Sequence, residues 1–202
     1  MLKAPVRILI VAALCVATLI GIVVRESMAR DNGREVVMAM GAIDPRALLQ
    51  GHYVIVALQD TLPADALCPA SLDASQFFAR DSEAPTGWVA LSPAGDRHTV
   101  VGAAATRADA ARLGDIVVRG TAACFKPTAE EGQPPQPGVV QAELGVDRFH
   151  INQAEAQRIE RIIREQTAGA PRVHAILSIG ADGRARMKGL IVEGERLTLD
   201  WL

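Results

Sequence analysis

Aromatic side chains are almost missing from this 202-residue chain, which has two Trp, one Tyr and four Phe. Its core therefore has to be filled by Ala, Val, Leu and Ile, the bulk of a 50% hydrophobic content. An excess of positive charge is missing too. The formal net charge is −2, and beyond Lys3 and Arg7 in the first 24 residues there are 19 basic and 23 acidic side chains. Such a chain lacks the basic patch that a phosphate backbone requires, so no nucleic-acid partner is expected. There is no CxxC, and His52, His98, His150 and His174 are dispersed without an HxH or HxxxH pair. Neither a metal nor a cofactor is expected from such spacing. P-loop, GxGxxG and GxSxG patterns are absent as well.

What is present begins with Ile8 to Val24, ILIVAALCVATLIGIVV, seventeen residues without a charge. As a helix this run spans about 26 Å, near the lower limit for a hydrocarbon core of about 30 Å. Val6 and the snorkelling stems of Arg7 and Arg25 extend it. Arg25, Arg30 and Arg34 follow the run and nearly balance the cations before it. The short basic tail reads as the start of an export signal, with the N-terminus inside and the rest outside. Ser27-Met28-Ala29 offers a small-x-small cleavage site, but Arg25 and Glu26 follow the apolar run directly and favour a retained anchor. Leu14 precedes Cys15, so a lipoprotein site is not expected. The expected organisation is a juxtamembrane anchor over residues 1–30 and an exported β-rich domain over 31–202. That places a single-pass protein in a bacterial inner membrane, with the lipid bilayer as one partner and the C-terminal domain in the periplasm. Cys68 and Cys124 are the two exported cysteines, and an even count in an oxidising compartment suggests a disulfide across 56 positions. Two free buried thiols are the alternative.

Along the exported part, 35–43, 52–58, 87–92, 97–103, 115–122 and 146–151 have strand character. Residues 60–85 read as a long loop, and the four prolines within 127–138 as a surface loop. Asn152 with Glu155 three residues later opens a helix whose apolar stripe is Ala156, Ile159, Ile162 and Ile163, with Gly169 just past its end. A meander follows, with turns at Ala181-Asp182-Gly183 and Glu193-Gly194-Glu195. The fold class expected is α+β: an N-terminal transmembrane helix, then a mostly antiparallel sheet or small open barrel with one packed helix.

Asp44-Pro45-Arg46, then Gly51-His52-Tyr53-Val54, resembles the bacterial GDYXXLXY family, in which a DPR segment and a G-D-Y strand follow a membrane anchor. Gly114 to Gly120 (GDIVVRG) is similar to a second strand motif of that family, and Lys188 to Val192 (KGLIV) to its end. His52 stands where the signature has Asp, and Val56 and Leu58 where it has Leu and Tyr. The resemblance implies placement, fold and a polytopic membrane-protein partner, and it carries no reaction. The signature residues themselves read as structural: Gly51 permits a tight turn, Asp44 caps one, Arg46 pairs with an acid, and Tyr53 sits at a core edge.

Three functions compete at this level. The first is a non-catalytic accessory or binding protein for another membrane protein. The second is a membrane-anchored hydrolase similar to signal peptidase I, with Ser27 as nucleophile and Lys126 as base, although Ala29 rather than Pro follows Met28. The third is a small-ligand carrier with a cavity between sheet and helix near Ile159 and Ile163. The first is the expectation carried forward.

Overall fold

A long uncharged run offers its backbone almost no side-chain partners, so it satisfies it internally as a helix. In the computed structural model, which describes residues 4–41, 53–72, 87–127, 134, 136–146, 148–166 and 170–198, this helix is α1, Ala4–Asp31. Its apolar span has a mean hydropathy of 2.7 and none of it is buried against the rest of the chain. By length and composition it can cross a membrane. Only Asn32 and Gly33 separate it from β1, Arg34–Ala39.

Strand β1 alternates as a half-buried strand should, with Val36 and Met38 inward and Glu35 and Val37 outward. It is the edge of a four-stranded antiparallel sheet that continues through β10 (Val173–Ile179), β11 (Ala185–Val192) and β12 (Glu195–Thr198). The inward row Val36, Leu177 and Leu190 is fully buried. A bulge between Ile176 and Leu177 shifts the register of β10 on β11. The free edge of β1 is partly closed by His98, whose Nδ1 accepts from the Val37 N–H at 3.3 Å.

The stretch read as one strand over 52–58 is divided. Tyr53–Ile55 forms β2 and Leu58–Leu62 forms β3, and the two belong to different sheets. Strand β2 pairs with β9, Arg148–His150, while β3 joins β8 (Gly138–Glu143) and β7 (Thr121–Phe125). A Met40–Leu58 bridge stitches β1 to β3. The expected loop over 60–85 accordingly begins only after Leu62, and its residues 73–85 lie outside those described. Strand β8, which opens at the end of the proline-rich segment, adds a strand that the local pattern did not suggest.

The strands expected over 87–92 and 97–103 form a hairpin, β4 (Trp88–Ala94) and β5 (Arg97–Ala104), that turns at Gly95-Asp96, with β6 (Ile116–Arg119) on the other side of β4. The run read as one strand over 115–122 is two strands, broken at Gly120. A Cβ there would lie 2.5 Å from the Glu143 carbonyl oxygen and 2.6 Å from a Leu144 methyl. Gly120 is thus the corner where the chain leaves one sheet for another. Between β5 and β6 a single helical turn, α2 (Arg107–Ala110), is capped by Thr106, whose hydroxyl accepts from the Asp109 N–H at 3.2 Å.

The main soluble helix, α3 (Gln153–Glu165), starts at Asn152, whose side chain accepts from the Glu155 N–H at 3.0 Å. Ala156, Ile159, Ile162 and Ile163 are buried together with Phe149 of β9. The helix ends at Gln166 in extended conformation, and its amide donates to the Met40 carbonyl at 2.7 Å. Gly169 lies outside the described residues. The class is α+β: antiparallel sheets that do not close into a barrel, the packed helix α3, and an N-terminal apolar helix.

Cys68 and Cys124 are joined in a disulfide with a Cα–Cα distance of 5.7 Å. The bridge fastens the loop after β3 to β7, and Lys126 fastens the same loop by donating to the Ala64 carbonyl at 2.8 Å and to that of Ala66. Closing a loop across 56 positions removes unfolded-state entropy equivalent to about 4 kcal/mol on the chain-entropy model. The Cys68→Ala/Cys124→Ala protein should therefore unfold at clearly lower urea than the oxidised parent, with a urea slope no smaller than the parent's because its unfolded chain is less constrained. Coincident unfolding curves would show that the bridge contributes nothing.

Candidate functional site

The β10–β11 turn is built by its own sequence. Gly183 takes φ +76°, and its N–H donates to the Gly180 carbonyl at 2.9 Å. Asp182 closes the turn by accepting from the Arg184 N–H at 3.0 Å. What is unusual is how much of the molecule converges on this turn.

The first group is ionic. Arg186, at the start of β11, is only 9% exposed at its side chain. Its guanidinium donates to both oxygens of Asp182, at 3.2 and 3.0 Å. It also donates to both oxygens of Glu26 on α1, from Nε and, at 3.2 Å, from Nη2. One planar fork is thus shared between a turn carboxylate and a carboxylate of the N-terminal helix, a geometry that a lysine could not reproduce. The Arg186 hydrogen bonds, with help from the Arg184 N–H, hold the Asp182 carboxyl down from its usual 3.8 to about 2. The chain leaving α1 is also pressed against β10. A Cβ on Gly33 would lie 2.1 Å from Ser178 Oγ and 2.9 Å from the Ile179 carbonyl oxygen.

The second group comes from the β4–β6 side. Arg119 donates from Nε to the Asp182 carbonyl at 2.9 Å, and its own N–H donates to the Gly183 carbonyl at 2.7 Å. Arg107 of α2 reaches the Ala181 carbonyl at 3.2 Å. Both guanidinium groups lie over the Trp88 ring, Arg119 at 4.7 Å and Arg107 at 5.5 Å from its centre. The ring packs so closely on the turn that a Cβ on Gly183 would approach its Cζ3 to 2.5 Å. Helix α1, the four-stranded sheet and the β4–β6 sheet are therefore fixed to one turn. This junction is the candidate functional site.

Two other features are weaker. Glu35 pairs with Arg196 at 2.7 Å and Lys188 at 3.1 Å, and those hydrogen bonds, Arg196 first, lower its carboxyl below the ordinary range. A depression of about 370 Å³ lies between Val37, His174 and Ile191 of the sheet and the Asp96-Arg97 turn. Burial, reinforced by Arg97, pushes the His174 imidazole below its usual value. Both arginines in its wall are already paired, Arg97 with Asp60 at 2.9 Å and Arg172 with Glu193.

Of the residues singled out from sequence, Asp44, Pro45, Arg46, Gly51 and His52 lie outside those described. Tyr53 opens β2 opposite His150. Ser27 and Lys126 have separate partners: the Ser27 hydroxyl donates to Asp31 on its own helix at 3.4 Å, whereas Lys126 clamps two loop carbonyls and is half-buried rather than exposed. Ile159 and Ile163, read as a possible cavity wall, are packed in the core at 0% and 2% exposure. Among the described residues, no three His, Cys, Asp or Glu side chains converge as a metal site would require. Sequence reasoning located the Asp182-Gly183 turn but missed Arg186, Glu26, Arg119, Arg107 and Trp88. The one local signal was the Asp182/Arg186 spacing across a hairpin turn, since Glu26 is 160 positions from Arg186.

A family model described as GDYXXLXY protein matches residues 15–190, most of the chain. No curated protein and no solved structure matches.

Asp182 gives the junction a pH signature. Its folded value of about 2 lies below the unfolded 3.8. The stabilisation is therefore complete above about pH 4 and is lost as the pH falls from there toward 2. The carboxylate is 40% exposed, so solvent screening reduces its worth to on the order of 1 kcal/mol. Thermal unfolding of Asp182→Asn should start from a lower midpoint at neutral pH and decline less steeply in acid than the parent. Parallel pH profiles for the two proteins would contradict this account.

Proposed function

The chain belongs to the GDYXXLXY family, and from that premise we propose that it is a membrane-anchored envelope protein with a non-catalytic accessory role. Helix α1 crosses the bacterial inner membrane once, and the β-rich domain stands on the periplasmic side and binds another, polytopic membrane protein. The observation that carries this reading is the Glu26–Arg186–Asp182 clamp. An apolar helix serving only as an export signal has no need of a nearly buried arginine at its end. A retained anchor does, because the clamp sets how the domain stands on the bilayer.

The disulfide supports an oxidising compartment outside the cytoplasm. The separate partners of Ser27 and Lys126 leave the hydrolase reading without a dyad. An accessory role also suits a bare apolar helix, whose exposed faces at Ile8, Leu14, Leu19 and Val23 can meet lipid or the helices of a neighbour.

Native membranes should retain the full-length protein after alkaline carbonate washing. In spheroplasts an external protease should digest the domain without lysis. Crosslinking there, followed by mass spectrometry, should recover one polytopic membrane protein in near-stoichiometric amount. Release by carbonate would remove the anchor. Protection in intact spheroplasts would reverse the orientation. Recovery of the chain alone with several crosslinkers, or saturable hydrolysis of a peptide or ester by the purified protein, would remove the accessory role.

A further inference from the structure

The junction has an outer surface. Glu26 is two residues beyond Val24, the last residue of the uncharged run. Two residues advance a helix by about 3 Å. The polar layer on each side of a bilayer is about 5–7 Å deep. A turn whose Arg186 donates both to its own Asp182 and to Glu26 therefore stands at head-group depth whenever α1 spans the membrane. Around that turn are the exposed side chains of Arg107, Arg119 and Arg184, with the half-buried ring of Trp88 against the first two. The three segments that meet here, 25–34, 107–119 and 180–186, contain eight arginines against five acids, in a chain whose net charge is −2. Excess positive charge is thus concentrated at the membrane-proximal end of an otherwise acidic molecule.

We propose that this arginine-and-tryptophan surface around the β10–β11 turn docks on anionic phospholipid head groups of the bilayer that α1 crosses. The proposal rests on the reading of α1 as a membrane span. Two independent features fit this occupant. Guanidinium groups match lipid phosphates through paired N–H donors. An indole, apolar in body and polar at its N–H, favours the depth at which head groups meet acyl chains. The ionic clamp takes up the charge of Arg186, whereas Arg107 and Arg119 are exposed and bonded to neutral turn carbonyls and Arg184 is exposed, so their charge remains available.

The test uses the full-length chain with Trp201→Phe, which leaves Trp88 as the only indole. It is reconstituted in nanodiscs of phosphatidylcholine, or of phosphatidylcholine and phosphatidylglycerol in equal parts, each with nitroxide at the head group or at the acyl-chain end. Trp88 fluorescence should be quenched by the head-group label more than by the chain-end label. The effect should be stronger in anionic discs and weaken with added salt. Arg184→Gln spares the junction contacts and should lower the docking equilibrium in anionic discs by about fivefold, the worth of one arginine at a charged surface. Incorporation into discs without head-group quenching of Trp88 would overturn the proposal and leave the anchor standing. Equal quenching in both lipids, unaffected by Arg184→Gln, would overturn the anionic preference. Failure of the chain to enter discs would remove the anchor, and this surface would fall with it.

Discussion

Strand β10 is buried along almost its entire length, which means that both of its faces must be covered. One face is served by the aliphatic core, where Leu177 meets Val36 and lies against the main cluster. The other holds Ile176 and Ser178, both inaccessible to solvent. Cover for the end of that face comes from the chain leaving α1. Gly33 lies flush on Ser178, and Glu26 reaches Arg186, the cross-strand partner of Ser178. The end of the N-terminal helix is therefore part of the domain's packing. Removing it would expose a buried serine and take from Arg186 one of its two carboxylate partners, a costlier loss than that of a surface ion pair.

The scarcity of aromatic residues makes such contacts count. Aliphatic side chains of similar size give a core that is well filled but has few large anchoring groups. The architecture compensates by tying sheets together at discrete points. Cys68–Cys124 and Lys126 hold the loop after β3, Gln166 bridges α3 to Met40, and Trp88 with Arg107 and Arg119 holds the β10–β11 turn. Each is a polar or covalent tie where one sheet ends and another begins.

The features readable from sequence were those encoded locally. The uncharged run, the strands over 35–43, 87–92 and 97–103, the Asn152 cap and the Asp-Gly turn all depend on residues within a few positions of each other. Features that failed to show themselves depend on distant neighbours. Nothing near Gly120 announces a corner, because the reason for it is the Glu143 carbonyl and Leu144. Nothing near Val56 announces that β2 and β3 part, because their partners are β9 and β8. The junction is the extreme case. Arg186 looks like one more surface arginine of a meander until Glu26 is brought beside it by the pairing of β1 on β10.

The same junction decides how the domain moves. A flexible tether would let a domain sample a wide volume, and binding would then gain mainly from local concentration. Here the helix runs unbroken to Asp31, and the two residues that follow include a glycine whose freedom is removed by contact with β10. Bending at Gly33 would require separating it from Ser178 and Ile179, and bending nearer the apolar run would break the Glu26 contact with Arg186. The chain thus carries its domain in one orientation, with the arginine-rich turn held toward the polar end of α1. A protein built this way presents a fixed face to whatever lies beside it, so rotation of α1 about its own axis turns the whole domain. Anything that grips the exposed faces of α1 therefore also selects which side of the sheets it meets.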